Sequence, residues 1–276
     1  SRAQHKTACF VLRFFIQERK VSMKKIAKRA IWVLLALIAI LVLVVGGYIA
    51  YLQLQYYRIE DGLPLEVISP QESLLQPGAT YTAVSCNLGF GAYGPEYSFF
   101  MDTGIMADGT PTQGLYGKAT SRESVLANTS LALQTLQPLN ADFILLQEVD
   151  YNSHRSFQVD QREMAIQAFP GYGYTWAENF HSGYLAYPLN DPHGVVNAGL
   201  LTLSRYAVSD AVRRSYPIDD NFFLKFTDLD RCFSVMRLPV EGSDRQLVLI
   251  HNHMSAYDSG GVIRAQQLEL LCQVLE

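Results

Sequence analysis

Hydrophobic and polar positions divide the chain into stretches of different character. Residues 30–52, "AIWVLLALIAILVLVVGGYIAYL", carry no charge and are almost wholly apolar. At about 1.5 Å per residue, a helix of that length spans a bilayer core. The run is longer than the roughly 7–15 apolar residues of a cleavable signal, and no A-x-A-like site follows it. Residues 53–78 lose this character and contain Pro64, Pro70 and Pro77-Gly78, the pattern of a stalk. Beyond residue 79, short apolar runs alternate with amphipathic stretches. "TYTAVSC" (80–86) alternates and predicts a strand that ends at Asn87. The apolar run that opens "FILLQ" (143–147) predicts a strand buried on both faces. "GLLTLS" (199–204), "RCFSVMRLPV" (231–240) and "RQLVLIHNHM" (245–254) predict further strands, the last two joined through a hairpin at 241–244. Helices are predicted over 121–137, with Leu126, Leu133 and Leu136 near one face and Ser121 as N-cap, and over 157–168, stopped by Pro170-Gly171. Residues 262–276 predict a last helix. The class is mixed α/β.

Charge sharpens the division. Residues 1–58 hold ten Lys/Arg and one acid, whereas residues 59–276 hold twelve Lys/Arg against 25 Asp/Glu. Lys24, Lys25, Lys28 and Arg29 precede the apolar run, which by the positive-inside rule places residues 1–29 in the cytoplasm and the rest outside the membrane. The first methionine is Met23, and residues 1–22 are expected to lie upstream of the natural start. The acidic outer part disfavours non-specific polyanion binding, which needs Lys and Arg, and suits divalent cations. Cys86, Cys232 and Cys272 lie far apart without C-x-x-C spacing, as expected of small buried apolar residues, not of a disulfide framework or a zinc site.

Candidate chemistry gathers at strand ends. Asn87 ends a strand in "SCNLGFGAY", Glu148 ends one in "LLQEVD", and His253 ends one in "LVLIHNHMSAYD". Polar side chains delivered by several apolar strands are how an α/β scaffold builds a site. Asp150, two residues past Glu148, shares its face if the strand continues, and is a candidate supporting residue. Arg231 in "LDRCF" either reaches phosphate with its guanidinium fork or pairs with Asp228 or Asp230. Arg155 in "HRSF" carries the same ambiguity. His251 and His253 alternate onto one face, a spacing that also suits a zinc pair, but Ser255 and Ala256 stand where an H-x-H-x-D-H pattern needs Asp and His. Tyr257 and Asp258 are candidates for shaping the site mouth. The aromatic loop 90–100 is either a lid, a membrane-facing patch or core packing.

Together with "FFMD", "RSFQVDQ" and "HMSAYDSGG", these motifs in this order resemble the endonuclease/exonuclease/phosphatase superfamily, in particular its membrane-anchored bacterial members. The resemblance covers residues 79–276. It implies an α/β fold, a four-layer αββα sandwich preceded by one transmembrane helix, and a phosphoric ester hydrolase dependent on Mg2+, with Mn2+ or Ca2+ as alternatives. It implies Glu148 as the metal ligand, Asn87 as the amide beside it, and His253 as donor to a phosphoryl oxygen. The substrate would be a lipid headgroup, a small phosphoester or a nucleic acid. The family's later Gly-Asp-x-Asn and Asp-His motifs do not occur in residues 1–276. The expectation is therefore a sandwich incomplete at its C-terminus and a fragment inactive by itself. The alternative is a membrane-anchored binding protein that has lost the chemistry.

Overall fold

The structure is a computed structural model that describes residues 2–69, 71–218, 222, 224–226, 230–255 and 259–275, the side chains of 2–22, 224 and 259 excepted. The predicted Tyr257 and Asp258, and Asp228, lie outside the described residues. The chain forms two compact units, Ser1–Leu54 and Gln55–Glu276.

The first unit is helical. Helix α1 runs Arg2–Gln55 without a break. No proline interrupts it, and its first glycines are Gly46-Gly47, so residues 2–22, which match no familiar element in sequence, are helical as well. Its Met23–Gln55 portion is long and apolar enough to cross a membrane.

The second unit is built on two four-stranded sheets. Its strands are β1 (Leu63–Pro64), β2 (Ala83–Asn87), β3 (Thr103–Ile105), β4 (Pro111–Gln113), β5 (Phe143–Asp150), β6 (Gly173–His181), β7 (Asn197–Ser204), β8 (Asp210–Ser215), β9 (Cys232–Pro239) and β10 (Gln246–Asn252). One sheet has the order β2-β5-β7-β6 and the other β1-β8-β9-β10, while β3 and β4 form a separate hairpin. Its helices are α2 (Arg122–Leu136), α3 (Gln161–Ala168) and α4 (Val262–Leu275). Ser121 caps α2, accepting from Ser124 N, as the sequence predicts.

Period-two alternation sorts the core. Ile144 and Leu146 of β5 join Leu201 and Leu203 of β7 against Leu133 and Leu136 of α2 and Ala165 of α3. The intervening Phe143 and Leu145 point the other way, to Ala211, Met236 and Leu238 of the second sheet. Phe233 and Val235 of β9 face outward to Leu270, Leu271 and Val274 of α4.

The segment expected as a stalk does more than link. Its β1 pairs antiparallel with β8, and Leu75 is buried between the sheets. Its prolines break helix but do not exclude a short edge strand. The three cysteines outside the first unit are free thiols: Cys232 is buried, Cys86 half-buried, and Cys272 exposed on α4, unlike the buried position expected for it.

Candidate active site

The centre of the site is a break in β5. Leu146 is in register with Leu201 of β7, but the next paired residue is Val149, opposite Gly199, so the register shifts between them. Glu148 sits in this bulge with φ +51°, a left-handed conformation that costs a non-glycine residue about 1–3 kcal/mol. The break ends the alternation. Val149, not Glu148, fills the next place in the core beside α2 and α3, and Glu148 is left part-exposed. Such a strained position is the one the strand pays to aim a side chain.

Three predicted residues meet there. Asn87 Nδ2 donates to Glu148 Oε1 at 2.9 Å, while Asn87 Oδ1 accepts from Gly89 N at 2.8 Å. The turn after Asn87 requires glycine: Gly89 has φ +52°, and a Cβ there would stand 2.5 Å from the Tyr93 ring. From the other sheet, His253 Nε2 lies 3.6 Å from the same Glu148 oxygen. Arg231, also predicted, stands behind it, with Nη1 2.9 Å from His253 Nδ1. A guanidinium can only donate, so Nδ1 accepts and the imidazole proton sits on Nε2, facing Glu148. Burial first, then the Arg231 and Arg155 charges, lower the His253 pKa to about 3. His253 is thus a neutral ring presenting an N–H donor.

The remaining predicted residues are used differently. Arg155 donates from Nε and Nη2 to Asp150 at 2.9 and 2.7 Å, and its guanidinium lies 4.3 Å from the Phe90 ring centroid. It is buried, so it anchors a loop against Asp150 and does not present this fork to a substrate. Asp150 in turn supports Arg155, not Glu148, because the bulge separates the two carboxylates that unbroken alternation would align. Asp230, the other expected partner of Arg231, pairs with Arg58.

Sequence reasoning missed Gln147 and Tyr93. Gln147 Nε2 donates to His251 Nε2 at 2.5 Å, and His251 Nδ1 then donates to Thr202 Oγ1 at 2.8 Å. Both His251 nitrogens are thereby used, which removes it from a zinc pair with His253. This buried link joins β5 to β10 one residue before Glu148 and two before His253, tying together the strands that carry them. The signal was the polar Gln147 at the end of an apolar run. Gln147→Leu leaves the buried His251 acceptor without its donor and is expected to cost about 1–3 kcal/mol. Adding His251→Phe removes the orphan and is expected to recover part of the loss, as read by denaturant unfolding. Tyr93 donates to Asp102 Oδ2 at 3.1 Å. Burial first, then Asp102 and more weakly Glu148, raise its phenol above the ordinary value.

The donor set can be weighed for a metal. Among the described residues no three His, Cys, Asp or Glu side chains gather as a cage. Glu148 offers one part-exposed carboxylate with the Asn87 amide beside it. Magnesium binds through one or two carboxylates and keeps several waters, so this set fits it as a partial, oxygen-only shell.

No protein-family model and no curated protein matches the chain. Solved structures similar to it include an endonuclease/exonuclease/phosphatase from Beutenbergia cavernae, at 14% identity and a TM-score of 0.42, covering 70% of this chain and 43% of that one. Another is an endonuclease/exonuclease/phosphatase family protein from Leptotrichia buccalis, at 14% identity and a TM-score of 0.40, covering 58% and 60%. A third is the human Nocturnin catalytic domain with bound sulfate, at 20% identity and a TM-score of 0.37, covering 53% and 49%. The chain spans less than two thirds of the length of each.

Proposed function

We propose that the chain belongs to the endonuclease/exonuclease/phosphatase superfamily and that its parent protein is a membrane-anchored, divalent-metal-dependent phosphoesterase. The observation that carries this reading is the convergence of Asn87 and His253, from two sheets, onto one Glu148 oxygen, with Arg231 behind His253. In this reading the pairwise interfaces of helices and sheets compose an αββα sandwich over residues 79–276. Residues 30–52 span the bilayer, with residues 1–29 cytoplasmic and the domain outside, on the argument of the basic cluster before the span.

Glu148 would hold the cation, with Asn87 fixing its carboxylate. When bound, Mg2+, or Mn2+ or Ca2+ in its place, supplies positive charge at the phosphoryl oxygens. The chain's own residues orient the phosphoester so that water attacks in line. His253 donates its Nε2 proton in a hydrogen bond to a phosphoryl oxygen as negative charge builds there. Arg231 keeps that proton on Nε2 by occupying Nδ1, and so acts through His253. The substrate class spans lipid headgroups, small phosphoesters and nucleic acid.

The test is hydrolysis of a chromogenic phosphodiester and phosphomonoester by the full-length parent protein. Turnover is expected with Mg2+ and is expected to vanish on chelation and return on adding the cation back. Turnover indifferent to chelation contradicts the metal. Among the described residues one carboxylate stands at the centre of the site, which favours one rival, a binding protein on the same scaffold that would retain phosphoesters without turning them over.

A further inference from the structure

The hairpin of β3 and β4 and the loop 184–189 expose large apolar side chains together. Ile105 is 78% and Leu189 84% exposed, and Met106, Leu115 and Tyr187 are also open to solvent. The two segments form one surface. The Tyr187 ring meets Phe100 edge-to-face at 5.5 Å, and Gly117 N donates to Asp191 at 2.9 Å. Monomeric soluble proteins seldom expose apolar residues in such a contiguous group without a partner.

Three observations say what covers it. First, the second unit starts beside the end of β6, the strand that leads into the apolar loop. Only Tyr56 separates Gln55, the last residue of the apolar helix, from Tyr57, whose ring stacks on His181 at 3.9 Å. His181 ends β6, and Tyr184 opens the apolar loop three residues later. A domain held by so short a tether stays at the bilayer. Second, the hairpin satisfies its own backbone: Met106 N donates to Thr110 O and Gly114 N to Asp102 O, beside the β3–β4 ladder. That is the condition for a polypeptide to enter an apolar interface. Third, residues 101–116 contain Asp102 and Asp108 and no Lys or Arg, and residues 182–190 contain no charge. Such a surface is repelled by anionic lipid and tolerated by zwitterionic lipid, with the fully exposed Asp108 remaining in headgroup water.

We propose that the β3–β4 hairpin and the 184–189 loop rest on the zwitterionic phospholipid surface to which the chain is tethered. The inference rests on the membrane-anchored reading above. It also deepens that reading. Tyr93 links the hairpin to the site, bonding Asp102 while its ring packs against Gly89, whose N–H donates to Asn87. Docking on this face places phosphoesters of the lipid surface among the substrates within reach of the site.

The experiment uses the full chain in phosphatidylcholine vesicles carrying a spin-labelled lipid quencher. An environment-sensitive fluorescent residue is placed in turn at position 105, 189, 243 or 38. Positions 105 and 189 are expected to lose most of their emission, and position 243, in the turn at the far end of β10, to keep it. With Leu189→Asp in place, emission at 105 is expected to recover. Retained emission at both 105 and 189 overturns the proposal. Position 38 then tells which reading failed: quenched there, the span stands and only the docking falls; unquenched, the membrane anchor falls as well. Emission at 105 that follows the protein-to-lipid ratio and ignores the quencher assigns the surface to a second copy of the chain, which also overturns the proposal.

Discussion

Glu148→Gln in the full-length parent protein is expected to lower metal-dependent phosphoester hydrolysis by roughly a hundredfold or more, since even the residues that merely support a metal ligand are worth 10–100-fold. The fold is expected to survive. Glutamine keeps the side chain's shape, and its carbonyl oxygen still accepts from Asn87 Nδ2. What it loses is the charge that a hard cation requires. The pairing of unchanged unfolding with collapsed turnover separates this outcome from a structural defect. Activity within a few-fold of the wild type removes Glu148 from the site.

Asp150→Ala is expected to have the largest effect on stability. Asp150 is fully buried and accepts two hydrogen bonds from Arg155, which is itself nearly inaccessible and packed over Phe90 and Phe180. Removing the carboxylate strands a buried cation, at a cost of about 3–5 kcal/mol. For a domain of this size that lowers Tm by roughly 6–20 °C. The double variant Asp150→Ala/Arg155→Met is expected to be more stable than Asp150→Ala alone, because the orphaned charge has gone. If the single variant melts with the wild type, the pair contributes nothing and Arg155 is open to the phosphate role that its sequence left as one of two alternatives.

The difference between these two residues shows how far the sequence could be read. The strands that carry Asn87, Glu148 and His253 were legible because apolar runs meet a polar residue, although β5 runs on to Asp150 and β10 stops at Asn252, and the structure brings the three side chains together. The use of Asp150 was not legible. Alternation assumes an unbroken strand, and only the left-handed backbone at Glu148 shows that the count slips by one. Strands β6 and β8 escaped notice for a related reason. Glu178 and Asn179 interrupt β6, and Arg213 and Arg214 interrupt β8. Arg213 is nevertheless buried, because the carbonyls of Glu178 and Asp230 and the hydroxyl of Ser215 receive its donors. Local composition cannot reveal partners that lie tens of residues away. The same limit hid the Gln147–His251–Thr202 link, which joins three strands from different parts of the chain.

The central claim is that Glu148 holds a divalent cation, and calorimetric titration of Mg2+ into the wild-type chain and into Glu148→Gln tests it most directly. The account predicts a saturable site in the wild type that is lost in the variant. Equal binding by both chains, or none by the wild-type parent protein, would contradict it.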